Sequence, residues 1–178
     1  MLWLSLSPQL RVFVQSGIDR TMAIHIRKAV EQDAATLAAL NADVQAIHAA
    51  AMPWLFKPPG PDTFAPAMVR DLLAQPENLV FIAEVDGSAA GYAYAEIQER
   101  PETPLSYARD MIYLHHISVR PTHRGHGVGS ALIEAVRAAA AENGIKLVAL
   151  DVWTFNEEAR AFFRRCGFVA YNERLWSR

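Results

Sequence analysis

The 178-residue chain contains one cysteine, Cys166. A lone thiol cannot close an internal disulfide, which excludes a small secreted scaffold held by cross-links. There is no basic excess either: 17 Lys and Arg stand against 19 Asp and Glu, a net charge of −2. That removes the electrostatic footprint of a general nucleic-acid binder. No uncharged apolar run reaches the roughly 18 residues that suggest a membrane-spanning helix. One soluble domain is expected, located in the cytoplasm and long enough to bury a core without metal or disulfide staples. Glycine is scarce too, and of the nine present, three fall within residues 125–129.

The opening stretch, residues 1–15, is apolar but is not a good secretory signal. No basic residue precedes the apolar part, Pro8 and Arg11 interrupt it, and no small-x-small cleavage site follows. Met22 stands directly before Ile24–Arg27, which reads as a strand. The expectation is an extension over residues 1–21 and one domain over 22–178. The extension is either an optional tail or an arm that packs on the surface or on a partner subunit.

From Glu31 to about Ala50, Leu37, Leu40, Val44 and Ile47 recur at helical spacing, with Asp33 placed to accept free N–H groups at the helix start. Pro53, Pro58, Pro59, Pro61 and Pro66 then mark a long ordered loop that also carries Trp54, Phe56 and Phe64. A short helix follows, over Ala67–Gln75. Leu79–Val85 and Ser88–Gln98 form a hairpin about Asp86-Gly87, and Met111–Val119 is the next strand. A helix with Leu132, Ile133, Val136 and Ala140 on one face stops at Asn143-Gly144. A strand at Lys146–Trp153, a helix at Glu157–Arg165, and a final hairpin of Phe168–Tyr171 with Arg174–Trp176 complete the reading. The class is α/β of the α+β type, with a mixed sheet flanked by helices.

The segment Arg124-Gly-His-Gly-Val-Gly129 joins a strand end to a helix start. Glycines there permit positive φ and close approach of a ligand to the backbone. Free N–H groups, the positive end of the helix dipole and the Arg124 cation together suit a phosphate or pyrophosphate. A Walker A loop is excluded, because the segment has no lysine. The dinucleotide fingerprint fails as well, with Ser130 or Leu132 where its third glycine belongs.

Arg124-x-x-Gly127-x-Gly129, preceded by His-Ile-Ser-Val-Arg-Pro, resembles the acetyl-CoA pyrophosphate loop of the GNAT N-acetyltransferase superfamily. Asn156-x-x-Ala159 followed by Ala161-Phe-Phe-Arg-Arg-Cys-Gly167-Phe168 is similar to that superfamily's second signature. Both lie in the expected order, and the resemblance covers residues 24–178. It implies the GNAT fold, a mostly antiparallel sheet whose splayed strands hold acetyl-CoA. Pantetheine would pair with backbone of Ile117 and Val119, with Ser118 between them, and a backbone N–H near Ile117 would face the acetyl carbonyl. Pyrophosphate would sit on Arg124, Gly125, His126, Gly127, Val128, Gly129 and Ser130. Asn156 would contact the cofactor, act as a helix N-cap, or do both.

The reaction so implied moves an acetyl group from acetyl-CoA to a primary amine of a small molecule or peptide by direct attack, with no metal, nucleic acid or membrane. Dimerisation is common in that family. The attacking amine must lose a proton, since a free alkylammonium has a pKa of about 10.4. Strict alternation would place Met111, Tyr113, His115, Ile117 and Val119 on one strand face, and His116 and Ser118 on the other. His115 matches the position of a base in some small-amine members, with Tyr113 as a relay; a structural histidine is the other reading. Glu96 and Asp110 are rival bases. Many members carry a tyrosine as acid toward the leaving thiolate, and that position here is Phe163. Tyr171 and Cys166 are conceivable substitutes, and an acyl-CoA-binding regulatory domain without turnover is the alternative function. Arg160 and Arg164 read as a solvated helix face or as phosphate contacts. The loop aromatics are either a lid or core anchors.

Overall fold

The structure, a computed structural model, describes residues 10–14 and 22–177. Its strands are β1 (Leu10–Val14), β2 (Met22–Lys28), β3 (Asn78–Val85), β4 (Ser88–Arg100), β5 (Arg109–Val119) and β6 (Leu147–Leu150). Its helices are α1 (Ala34–Ala51), α2 (Pro66–Leu73), α3 (Val128–Glu142) and α4 (Glu157–Arg165). The sheet runs β1-β2-β3-β4-β5-β6, antiparallel throughout except for the parallel pair β5-β6. Of the expected N-terminal extension, Leu10–Val14 is a strand beside β2, and the remainder lies outside the described residues.

Asp86 and Gly87 both take positive φ, 49° and 77°, as the tight β3-β4 hairpin requires. Helix α1 buries Leu37 and Leu40 as its periodicity predicts, and α3 buries Leu132, Ile133, Val136 and Ala140. Alternation along β4 divides the core into two layers. Ala93 and Ala95 face α3 with Ile112, Leu114 and Phe163; Tyr92 and Tyr94 face α1 and α2 with Leu37, Leu40 and Ile82. Small residues on one side let α3 approach closely, while the tyrosines fill the wider space on the other. Each buried leucine contributes about 1.5–3 kcal/mol by transfer from water.

Asp33 accepts a free N–H at the helical start, that of Val30 at 2.8 Å, and also binds Arg27 in two-point fashion at 2.7 and 2.9 Å. Two of the guanidinium nitrogens donate to that one carboxylate. Two expectations are corrected. The strand expected over Lys146–Trp153 is paired only from Leu147 to Leu150, where its sole neighbour β5 parts from it. The C-terminal hairpin does not form. Val169, Tyr171 and Leu175 are exposed, and Trp176 packs against Trp54 and Trp153 instead of pairing in a ladder.

Candidate active site

The glycine-rich turn has the geometry of an anion cradle. After a 3-10 turn at Pro121–His123, Gly125 and Gly127 adopt φ of 77° and 86°, and Gly127 is the N-cap of α3. The first backbone bond of the helix runs from Ala131 N–H to the Gly127 carbonyl, 3.0 Å. Among the described residues, no acceptor takes the N–H groups of Gly125 through Ser130. They remain available at the positive end of a fifteen-residue helix. Arg124 bends back so that its Nε donates to the Val119 carbonyl at 3.1 Å, which ties the cation to the end of β5. Val128 is buried, so its side chain anchors the turn and only its backbone faces the cradle.

Gly129 serves packing. A Cβ there would stand 3.1 Å from the Phe162 ring, so the missing side chain lets α4 close on the start of α3. Burial pushes the Cys166 thiol up in pKa, and the Arg137 guanidinium donates to the Cys166 carbonyl. That contact ties α3 to the end of α4. Asn156 caps α4, accepting the Ala159 N–H at 3.0 Å through Oδ1, which leaves its amide N–H groups to donate outward. Phe163 is buried against Phe162 and Phe168.

Near the turn, β5 runs on past its partner strand β6. Pairing of β5 with β6 ends at Leu114 and Leu150, while β5 continues to Val119. The backbone from His115 to Val119 therefore has an edge that β6 leaves open. Ile117 and Val119 pack their side chains toward α3, and the Ser118 hydroxyl donates to the Leu40 carbonyl at 2.9 Å. The backbone, more than these side chains, is what that edge presents.

Strict alternation fails in the middle of β5. Tyr94 pairs with His116 and Ala95 with Leu114, so His115 is the extra residue of a β-bulge. The bulge shifts everything beyond it by one place: Ile117 and Val119 join the α3 face, while Tyr113, His115, His116 and Ser118 share the face of α1 and α2. His115 and His116, expected on opposite faces, flank one ring, stacked on Tyr94 at 4.7 Å and edge-on to it at 5.6 Å.

The expected rivals Glu96 and His115 are partners. His115 Nε2 lies 2.8 Å from Glu96 Oε2, which also accepts from Gln98 Nε2 at 2.8 Å. Those two donors, Gln98 first, hold the Glu96 carboxyl below the usual range, so it is ionised and can only accept. His115 Nε2 is then the donor of this bond, and among the described residues Nδ1 has no hydrogen-bond partner. Glu96 opens onto a cleft of about 680 Å³, also lined by Glu77 and Glu99. Tyr113 contacts His115 edge-on at 4.9 Å, but burial and the neighbouring Asp151 carboxylate push its pKa up to about 12. It therefore holds its proton firmly. Asp110 is exposed and near the start of β5.

The proline-rich loop contributes differently along its length. Phe64 packs on Tyr92 and His116, Phe56 on His48 and Trp153, and Trp54 is about half exposed beside Trp176. Its inner aromatics are anchors and its tip is a rim. Sequence reasoning missed Tyr92, Tyr94, Asn41 and Asp151; the period-two spacing Tyr92-x-Tyr94-x-Glu96 was the available signal for the first two. The side chains of Arg160 and Glu157 form an ion pair on the exposed face of α4.

The Acetyltransferase (GNAT) family pattern matches residues 42–168. The chain belongs to this GNAT family. An uncharacterized N-acetyltransferase of Methanocaldococcus jannaschii is 31% identical over 97 residues, covering 54% of this chain and 42% of the relative. L-2,4-diaminobutyric acid acetyltransferase of Nocardia farcinica is 33% identical over 82 residues, covering 46% of this chain and 39% of the relative. The matched stretch thus spans less than half the length of both GNAT relatives. An aminoglycoside N-acetyltransferase solved in complex with CoA shares the fold, with a TM-score of 0.71, 23% identity, and coverage of 90% of this chain and 97% of that one. No described helix of this GNAT chain is long and apolar enough to cross a membrane.

Proposed function

We propose that this chain is an acetyl-CoA-dependent N-acetyltransferase acting on a primary amine of a small molecule or peptide. The observation that carries the reading is the junction of three features on β5: the unpaired edge beyond Leu114, the free N–H groups at the start of α3, and the Glu96–His115 pair beside that edge. The residues fit the co-substrate. N–H groups from Gly125 to Ser130, with Arg124, would hold its pyrophosphate; backbone of Ile117 through Val119 would hold its pantetheine; and Asn156 has donors left for its polar groups. When bound, it supplies an activated acetyl thioester. The complex with CoA of the aminoglycoside enzyme, which shares the fold, supports that choice.

In this reading, Glu96 holds the His115 Nε2–H, and the Nδ1 lone pair of His115 takes the proton of the incoming ammonium. Tyr113 orients the imidazole and does not carry the proton. No protein acid stands at Phe163, and none is required near neutral pH, because a thiol has a pKa of only about 8.5. The decisive assay is thiol release from acetyl-CoA across a panel of primary amines. Amine-dependent release is expected. CoA binding without turnover on any amine would replace this reading with a regulatory acyl-CoA-binding domain.

A further inference from the structure

His116 lies next to the bulge and has no part in the proton transfer assigned to His115. It is enclosed by Phe64 at 5.4 Å, Tyr92 at 6.3 Å and Tyr94 at 5.6 Å, with Nδ1 3.1 Å from the Tyr92 hydroxyl. That hydroxyl also receives the Asn41 amide nitrogen at 2.8 Å. An amide N–H can only donate, so Asn41 occupies a lone pair of the tyrosine oxygen. The single hydroxyl proton of Tyr92 is then left for His116 Nδ1, which must be the bare, accepting nitrogen. A neutral His116 consequently carries its proton on Nε2, and among the described residues that N–H has no partner.

We propose that His116 is a second working imidazole, a hydrogen-bond donor whose Nε2–H binds a carbonyl-type oxygen of a substrate. Its tautomer is set from behind by Asn41 and Tyr92. This rests on the acetyl-transfer reading of the same face and deepens it. The bulge places two imidazoles side by side, and in the acetyl-transfer reading their free atoms are complementary: a lone pair on His115 Nδ1 and an N–H on His116 Nε2. An amine nitrogen losing a proton and an oxygen gaining negative charge need those two functions. Burial pushes the His116 pKa down to about 4, with His115 and His48 as the neighbouring groups that add to the shift, so the donor stays neutral at ordinary pH. The titratable groups facing it are His115 on its own strand, Tyr92 and Tyr94 on β4, and His48 on α1.

The oxygen has two possible sources, the thioester carbonyl of acetyl-CoA or an oxygen of the amine substrate. His116→Phe and Tyr92→Phe are compared with wild type in kcat, KM for several amines, CoA affinity and thermal stability, alongside His115→Ala. Nitrogen-15 NMR of the wild-type imidazoles reads the tautomer independently of turnover. The expected result is Nε2–H at His116 and at least a tenfold loss in His116→Phe with CoA affinity retained. A loss in kcat shared by all amines assigns the thioester carbonyl; a rise in KM confined to oxygen-bearing amines assigns the acceptor. Tyr92→Phe should reproduce part of the loss and yield a mixed tautomer. A proton on Nδ1, or wild-type kcat and KM in His116→Phe, overturns the proposal. If His115→Ala alone is impaired, only this inference falls. If His115→Ala is normal while His116→Phe is impaired, the base assignment falls and this inference stands.

Discussion

His115 Nε2 and Glu96 Oε2 are 2.8 Å apart, on adjacent strands that meet at a bulge. The carboxylate accepts the Nε2–H hydrogen bond, so Nδ1 is the ring nitrogen left for substrate in the proposed reaction. His115→Ala should lower kcat by about 10²–10⁴-fold, the usual contribution of a positioned base, with CoA affinity unchanged. Glu96→Gln should lower kcat less, since the imidazole survives but its orientation is less strongly imposed. Steady-state kinetics with calorimetric CoA titration test both. Wild-type kcat in His115→Ala would sink the base assignment.

Gly127 is the N-cap of α3 at φ 86°. Placing an L-residue in that left-handed region costs about 1–2 kcal/mol, and a β-branched one suits it worst. Gly127→Val should rearrange the turn, misdirect its N–H groups and weaken CoA binding at least tenfold. Unchanged affinity by calorimetry would mean that the cradle is not the phosphate site.

Gly129 faces the Phe162 ring so closely that an added Cβ would lie 3.1 Å from it. Gly129→Ala should therefore destabilise by about 1–3 kcal/mol, as overpacking does. Phe162→Leu in the same chain should recover part of that loss, because the smaller side chain vacates the contact. Urea melts of both single variants and the double variant supply the coupling; simple additivity would show that the ring is not the obstacle.

Arg27 grips Asp33 at two points and Glu84 at a third. The Arg27 guanidinium holds the Asp33 carboxyl below its ordinary range in the fold. A depressed folded pKa contributes stability in full above the unfolded value, about 3.9, and that contribution fades as pH falls through the folded value. Asp33→Asn should be less stable than wild type at pH 7 and should close the gap on acidification below about pH 4. A gap constant from pH 7 to pH 2 would show that the ion pair does not carry the effect.

The elements and the glycine-rich turn were largely legible along the chain. Apolar spacing in α1 and α3, the Asp86-Gly87 turn and the Gly125–Gly129 turn are each set by contacts among residues close in sequence. Asn156 illustrates the same point, since the N–H that its side chain accepts is three residues away. The sheet face that carries His115 and His116 was not legible to the same degree. Period-two counting runs correctly to Leu114 and then breaks, because a bulge arises from the register of β4 against β5 and leaves no mark in β5 alone. Asp33 was legible in part: it accepts the expected N–H at the helix start, while its second partner, Arg27, is reached through the turn that folds β2 onto α1.

By itself, then, the sequence determined the α/β class, most helix and strand periods, and a glycine-rich turn at a helix start. Those features follow from local backbone sterics and from which residues water expels. Only the tertiary structure decided that Glu96 and His115 are partners instead of rivals, that His116 shares their face, and that Phe162 explains Gly129. Each of those outcomes depends on distances between separate elements, and such distances exist only after the sheet has set its register and the helices have packed upon it.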